Sequence, residues 1–212
     1  MRTVRNFAEL FDAWAPTYDE FVARREAEVF EDYEAILSAV AGKVQGRPGD
    51  WVLDVGTGTG NLAGRLRAAG YNVIGVDPSR EMRRRARAKF PHVPVVEGSF
   101  LRLPVGDASV RAVVSSYAFH HLTDTEKDEA IAESLRVLVP GGRIVIADVA
   151  FASQAARDET IKALRTAGRH EFADELEAEY YACVPQLVEL FRAHGRRAEV
   201  QQLTRWVWLV AA

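Results

Sequence analysis

The stretch Trp51-Val52-Leu53-Asp54-Val55-Gly56-Thr57-Gly58-Thr59-Gly60-Asn61 decides the fold. A short apolar run opens into alternating glycines, and the helical pattern Asn61–Ala69 follows, closed by Gly70. This reads as strand, tight loop, helix. Glycine permits positive φ and a close approach of backbone to a ligand. The N-terminus of the following helix points its free N–H groups into the same crevice. Working outward, Asn72–Asp77 reads as a second strand, and Ser79 caps a helix running to about Lys89. Val93–Glu97 and Val110–Ser115 read as strands three and four. Thr123 and Glu126 form a T-x-x-E capping box for a helix carrying Ile131, Leu135 and Leu138, which Pro140-Gly141-Gly142 ends. Arg143–Ala147 is a fifth strand, apolar enough to be buried on both faces.

This alternation demands right-handed crossovers and a mostly parallel sheet, the doubly wound α/β class. Two runs near the end, about Ala198–Leu203 and Arg205–Val210, have almost no loop between them and are expected to pair as an antiparallel hairpin. The expected sheet is seven-stranded. Residues 50–150 form its cofactor-binding core, 1–45 a pair of N-terminal helices, one of them running from Thr17 to Val40, and 151–195 a helical insert, the N-terminal and insert helices together being expected as a lid. The hairpin occupies 196–212, all within a single domain of 212 residues. Phe7, Leu10, Phe11 and Trp14 recur at helical spacing and share one face. Trp206 and Trp208 are two apart and are expected on one sheet face, in the core.

Composition narrows the function. With 48% apolar residues the chain can bury a sizeable core, and its net charge of −3 supplies no general field for nucleic acid or an acidic membrane. The single cysteine, Cys183, cannot form an internal disulfide and is read as structural. Residues Met1 to Pro16 lack the apolar run of a secretory signal, and no run approaches the roughly 18 apolar residues of a spanning helix. A soluble cytoplasmic protein is expected, with no membrane partner.

The acids beside the glycines choose the ligand. A dinucleotide loop is spaced G-x-G-x-x-G, but the position for its third glycine holds Asn61. Asp54 stands two residues before Gly56, where a carboxylate repels a pyrophosphate and suits a cation. Asp77 ends strand two, 23 positions after Asp54, where a carboxylate accepts both ribose hydroxyls. Together they bracket a positively charged, adenosine-bearing amino acid, and S-adenosylmethionine has those properties.

At this point the sequence resembles the class I S-adenosylmethionine-dependent methyltransferases, which have a Rossmann-like fold. Asp54 to Gly60 as D-x-G-x-G-x-G, Val76-Asp77-Pro78-Ser79, Leu103-Pro104, Ser115 to Leu122 and Leu138-x-Pro140-Gly141-Gly142 stand in that family's order. The resemblance covers roughly Phe7 to Val210. It is nearest to a bacterial group of uncharacterised, small-molecule-type methyltransferases. That group shares the F-x-x-W-A-x-x-Y-D opening of Phe11 to Asp19, the block Ser115 to Asp124 and the ending Trp206 to Trp208.

The resemblance implies site roles. Gly56 and Gly58, with Thr57 and Gly60, lie against the cofactor's amino acid. Asp77, followed by Pro78, holds the ribose, and Tyr18 closes over the methionine end. The family usually has Gly-Asp after strand three. Here Gly98 is followed by Ser99, which accepts a hydrogen bond without a charge, and Phe100 is placed to flank the adenine. Ser116 completes the cofactor set. His120 and His121 follow strand four, where acceptor and sulfonium should meet, and they are the candidates for a general base. Adjacent histidines alternate direction in extended chain and no carboxylate accompanies them at ligand spacing, so no metal site is expected. An N-P-P-Y-type turn, which marks enzymes acting on base or glutamine amines, is missing, and a small-molecule acceptor is expected. The rival readings are an RNA or protein methyltransferase using Arg80, Arg83, Arg84, Arg85, Arg87 and Lys89, and a non-catalytic cofactor-binding module. A solvated helix face is the favoured account of that basic run.

Overall fold

The computed structural model describes residues 7–24 and 28–212. Its central sheet has eight strands: β1 (Trp51–Val55), β2 (Asn72–Asp77), β3 (Val95–Glu97), β4 (Val110–Ser116), β5 (Leu138–Phe151), β6 (Ala182–Cys183), β7 (Glu199–Gln202) and β8 (Val207–Ala211). The order is β3-β2-β1-β4-β5-β8-β7, with the short β6 pairing the far end of β5. Strands β1 to β5 are parallel, and β8 runs antiparallel to both β5 and β7. The strand order reverses between β1 and β4, and in such sheets the crevice beyond the carboxyl ends at that point is the place for a ligand.

Helices cover both faces. Alternate residues of each central strand face opposite ways, so the core divides in two. On one side Val52, Ala112, Val114, Val145 and Ala147 meet α3 (Tyr33–Gly42), α4 (Asn61–Ala68), α7 (Gln154–Thr166) and α8 (His170–Ala178). On the other, Leu53, Val55, Val113, Ile144 and Ile146 meet α6 (Asp124–Val137) and α9 (Val184–Ala193). Phe191 on α9 is fully buried, and its truncation to alanine would cost about 3–5 kcal/mol. The caps form as the sequence suggests: Ser79 accepts from Met82 N at the start of α5 (Arg80–Lys89), and Thr123 and Glu126 close a complete capping box on α6.

Several expectations need correction. There is an eighth strand, β6, inside the segment read as wholly helical. The long helix expected from Thr17 to Val40 is broken into α2 (Tyr18–Arg24), a 3-10 turn at Glu28–Phe30, and α3. Asp32 adopts φ 55°, which a right-handed helix cannot contain, and the Val29 carbonyl accepts from the Tyr117 hydroxyl at 2.9 Å. Helix α6 stops at Val137, and Pro140-Gly141-Gly142 lies within β5. There it forms an irregularity, because Val110 pairs with Leu138 while Ala112 pairs with Arg143. The two tryptophans part company. Trp206 precedes β8 and packs in the first core layer, whereas Trp208 is half-buried against the second. On α1 (Phe7–Trp14), Phe11 and Trp14 are half-buried and Leu10 is exposed, and the side chain of Phe7 lies outside the described residues.

Candidate functional site

The loop after β1 turns through three left-handed glycines, Gly56 (φ 71°), Gly58 (φ 55°) and Gly60 (φ 88°). Its start is pinned by Gly56 N and Thr57 N, both donating to Val76 O. A Cβ at Gly56 would sit 2.4 Å from Ala118 Cβ. The loops after β1 and β4 are therefore in direct contact, and side chains are excluded where they meet. Gly58 has nothing within 4 Å of its missing Cβ, so its backbone faces open space.

Asp54 is buried beneath this loop, with Oδ2 accepting from Thr57 Oγ1 at 2.6 Å. Burial pushes its carboxyl up to about 7, and the charge of Asp77 adds to that. Asp77 accepts Gly58 N on Oδ2 and Ser79 N on Oδ1, both at 2.8 Å. Burial raises this acid too, and the two N–H bonds oppose the rise. Arg83 lies under Asp77, donating to the carbonyls of Asp77 and Pro78 and pairing with Glu97 at 3.0 Å. Ser115 Oγ is buried with no hydrogen-bond partner, about 4.0 Å from the position of a Cβ on Gly56. A side-chain-free cradle, a buried acid poised to ionise and an orphaned hydroxyl at one point fit a cationic amino-acid ligand.

Phe100 is buried and meets Phe119 edge-on at 5.4 Å. Ser99 Oγ accepts from Leu101 N, which fixes a tight turn beside the end of β3. Ser116 ends β4 and is half-buried. Tyr18 stands in an aromatic group with Trp14, Phe30, Tyr33 and Tyr117. Burial and the neighbouring Tyr33 and Tyr117 drive its phenol well above the ordinary value. Tyr117 holds φ 54°, an uncommon conformation for a bulky residue, while its ring meets Phe30 at a tilt and its hydroxyl donates to Val29 O.

The N-terminal helices are fastened to both helices that border the glycine loop. Asp12 on α1 accepts from Ser79 Oγ at 2.5 Å and from Glu81 N at 3.0 Å, adding to the cap of α5. Asp19 on α2 accepts from Thr59 Oγ1 and Asn61 Nδ2 at the start of α4, and pairs with Lys89. The basic run on α5 is largely engaged. Besides Arg83 and Lys89, Arg87 donates to Val95 O and Arg84 pairs with Glu81.

The histidines stand on a 3-10 turn, Phe119–His121, rather than on extended chain, so their rings lie on the same side with centroids 4.0 Å apart. His120 is gripped by Asp148 on β5: Nδ1 is 2.7 Å from Oδ1, and the backbone N–H donates to Oδ2 at 2.9 Å. Burial works to raise the Asp148 carboxyl, but the charge and hydrogen bonds of His120 outweigh it and hold the acid below its ordinary value. His121 Nδ1 lies 3.2 Å from Glu179 Oε2. Burial lowers the His121 pKa, and the neighbouring His120 adds to that. Tyr181 stacks on His120 at 4.7 Å, and Phe11 of α1 meets His121 edge-on at 5.1 Å. Tyr180 N donates to His120 O, and buried Lys127 donates to the carbonyls of Leu122 and Tyr180, tying the turn to the insert.

Sequence reasoning missed Asp148, Glu179, Ser115 and Tyr33. An acid at the end of the apolar run Arg143–Ala147 was a usable signal for Asp148; nothing local marks Glu179.

The sequence matches the family described as a methyltransferase domain over residues 52–142. A Bacillus mycoides protein named as an uncharacterised methyltransferase is 44% identical over 210 residues, 97% of each chain. Among solved structures, the chain assigned as a methyltransferase in a complex with the Haloferax volcanii Trm112 methyltransferase activator superposes with a TM-score of 0.69 at 23% identity. That match covers 95% of this chain and 96% of the other. A geranyl diphosphate methyltransferase in complex with GPP and sinefungin gives a TM-score of 0.67 at 18% identity, covering 91% and 82%. The last two likenesses concern the fold.

Proposed function

Since the chain belongs to the S-adenosylmethionine-dependent methyltransferase family, we propose that it binds S-adenosylmethionine between the loops after β1 and β4 and methylates a small molecule. The observation that carries this reading is the contact of Gly56 with Ala118. There the loop after β1 meets the loop that leads into the histidine turn, which supports a single site shared by cofactor and acceptor. The bound cofactor supplies a methyl group made electrophilic by its sulfonium. Asp77 holds the ribose hydroxyls, Gly56 and Gly58 give backbone to the amino-acid end, and Asp54 offsets its charge. Ser99 and Phe100 border the adenine. The turn Phe119–His121 orients the acceptor in line with the methyl group, where approach and dryness govern the rate.

A small acceptor suits the enclosure. The side chains of His120 and His121 are 10% and 18% exposed, covered by Phe11 and Tyr181. That cover favours a small acceptor over an intact duplex or a folded protein. Of the arginines that an RNA reading needs, Arg83 and Arg87 bond carbonyls of the fold and Arg84 pairs with Glu81 on its own helix. We take residues 7–24, fastened to Thr59 and Ser79, as a lid over this site.

The test is incubation of the full chain with isotope-labelled S-adenosylmethionine and a metabolite extract, read by mass spectrometry. A labelled small product is expected. Label on tRNA or protein instead overturns the acceptor assignment, and absence of cofactor binding by calorimetry overturns the whole reading.

A further inference from the structure

We propose that His120, His121 and Glu179 form a binding site for one divalent transition-metal ion, of the zinc type, at the acceptor end of the crevice. One ligand atom from each of the three lies within 4.8 Å of the others. Zinc held at about 2.0–2.1 Å in tetrahedral geometry sets its ligand atoms about 3.3 Å apart, and His121 Nδ1 and Glu179 Oε2 are already 3.2 Å apart. Nitrogen and oxygen donors of this mixture favour zinc and its neighbours over magnesium or calcium.

Three further features belong to a metal centre more than to an ordinary hydrogen-bonded cluster. First, Asp148 engages His120 through Nδ1, which leaves Nε2 as the ligand atom and fixes the ring. A carboxylate behind a ligating imidazole is the usual outer support of such sites. Second, the ligands are rigid before any ion arrives: Tyr181 stacks on His120, Phe11 abuts His121, and Tyr180 N ties the Glu179 segment to His120 O. Third, two buried carboxylates face the imidazoles: Asp148 and Glu179 each expose only 9% of their side chains.

Three protein ligands leave a fourth position open, the pattern of catalytic rather than structural zinc. An acceptor hydroxyl or thiol coordinated there loses its proton to solvent more readily. Its oxygen or sulfur then forms the bond to the methyl carbon as the carbon–sulfonium bond breaks, leaving a neutral thioether. The acceptor class is therefore an ionisable hydroxyl or thiol. This role rests on the methyl-transfer reading; the metal site does not.

The experiment strips the full chain with a chelator and titrates it with zinc chloride by calorimetry, and with cobalt(II) by visible absorption. One equivalent is expected, with the cobalt spectrum of a four-coordinate site, reversed by chelator. Glu179→Gln and His121→Ala should each weaken binding at least about tenfold, Asp148→Asn by about 10- to 100-fold, and exposed His92→Ala should leave it unchanged. Melting curves show whether each variant folds, and the wild-type stoichiometry and spectrum decide if one does not. No binding, binding indifferent to Glu179→Gln and His121→Ala, or loss in His92→Ala overturns the site. S-adenosylmethionine is titrated separately into the stripped chain. If zinc binds and the cofactor does not, the site stands and the catalytic role falls.

Discussion

The two ends of the crevice are built in opposite ways. The proposed cofactor end comes from neighbouring sequence: Asp54, the three glycines, Asp77 and Ser79 lie on two consecutive strand–loop–helix units joined by hydrogen bonds. The proposed acceptor end is gathered from three distant places, the turn after β4, the C-terminal part of β5 and the insert beyond α8. A cofactor shared by many enzymes needs one unvarying cradle, which a local motif can encode. An acceptor pocket must be particular, and long-range packing can be varied without touching the cradle. Gly56 and Ala118 are where the two constructions touch.

Breaking that contact should have the largest effect. Gly56→Ala places a methyl 2.4 Å from Ala118 Cβ at a φ of 71°. The expected loss is about 2–5 kcal/mol of stability by urea denaturation, combining left-handed strain with overpacking. Cofactor binding should fall with it. Adding Ala118→Gly should restore the packing share of that loss and leave the strain. A double variant no better than the single one would show that the loops do not meet.

The next two substitutions separate the ends. Asp148→Asn should lower kcat by about 10- to 100-fold, as loss of an outer support does, with the cofactor Kd within twofold of the parent. Asp77→Ala should do the reverse in kind. It should weaken S-adenosylmethionine binding by about 1–3 kcal/mol through lost hydrogen bonds to a charged acceptor, with the acceptor KM little changed. If each variant moved both parameters equally, the division into two ends would be wrong.

A pH titration sharpens the cofactor end further. Asp54 is pushed up to about 7 by burial. A cationic ligand prefers its ionised form, so binding below that pH must expel a proton. Affinity should therefore rise with pH between 6 and 7.5, by at most about tenfold per unit on the acid side, and flatten above. Asp54→Asn should flatten the profile throughout. A parent profile already flat across 6–7 would remove Asp54 from the charge balance.

The same contrast explains what could be read in advance. The parallel core, the caps at Ser79 and Thr123 and the terminal hairpin each follow from residues within a few positions of one another. The glycine loop and Asp77 are legible for the same reason. Glu179 is not, because it reaches His121 only through the path of α7 and α8, which no local pattern encodes. The relative direction of the two histidines was misread because a 3-10 turn and an extended segment look alike over three residues. Pro140-Gly141-Gly142 reads as a helix stop, but the helix had already ended and the strand resumes through it.

The smallest expected effect tests whether one element serves both ends. Asp12 caps α5 through Ser79 and Glu81, while its neighbour Phe11 packs on His121. Asp12→Ala removes an acceptor at a helix N-terminus and should cost about 0.5–2 kcal/mol of stability. The backbone N–H of Glu81 and the Ser79 hydroxyl lower the Asp12 pKa. That contribution is complete above its ordinary value and should fade only as the pH drops through the depressed one. If α1 is a lid, loosening it at α5 also loosens Phe11 over the histidines. The cofactor Kd and the acceptor KM should then both rise, each by a few-fold, unlike the split seen with Asp148→Asn and Asp77→Ala. A loss of stability with both constants unmoved would make Asp12 a structural clip and take the lid role away from α1.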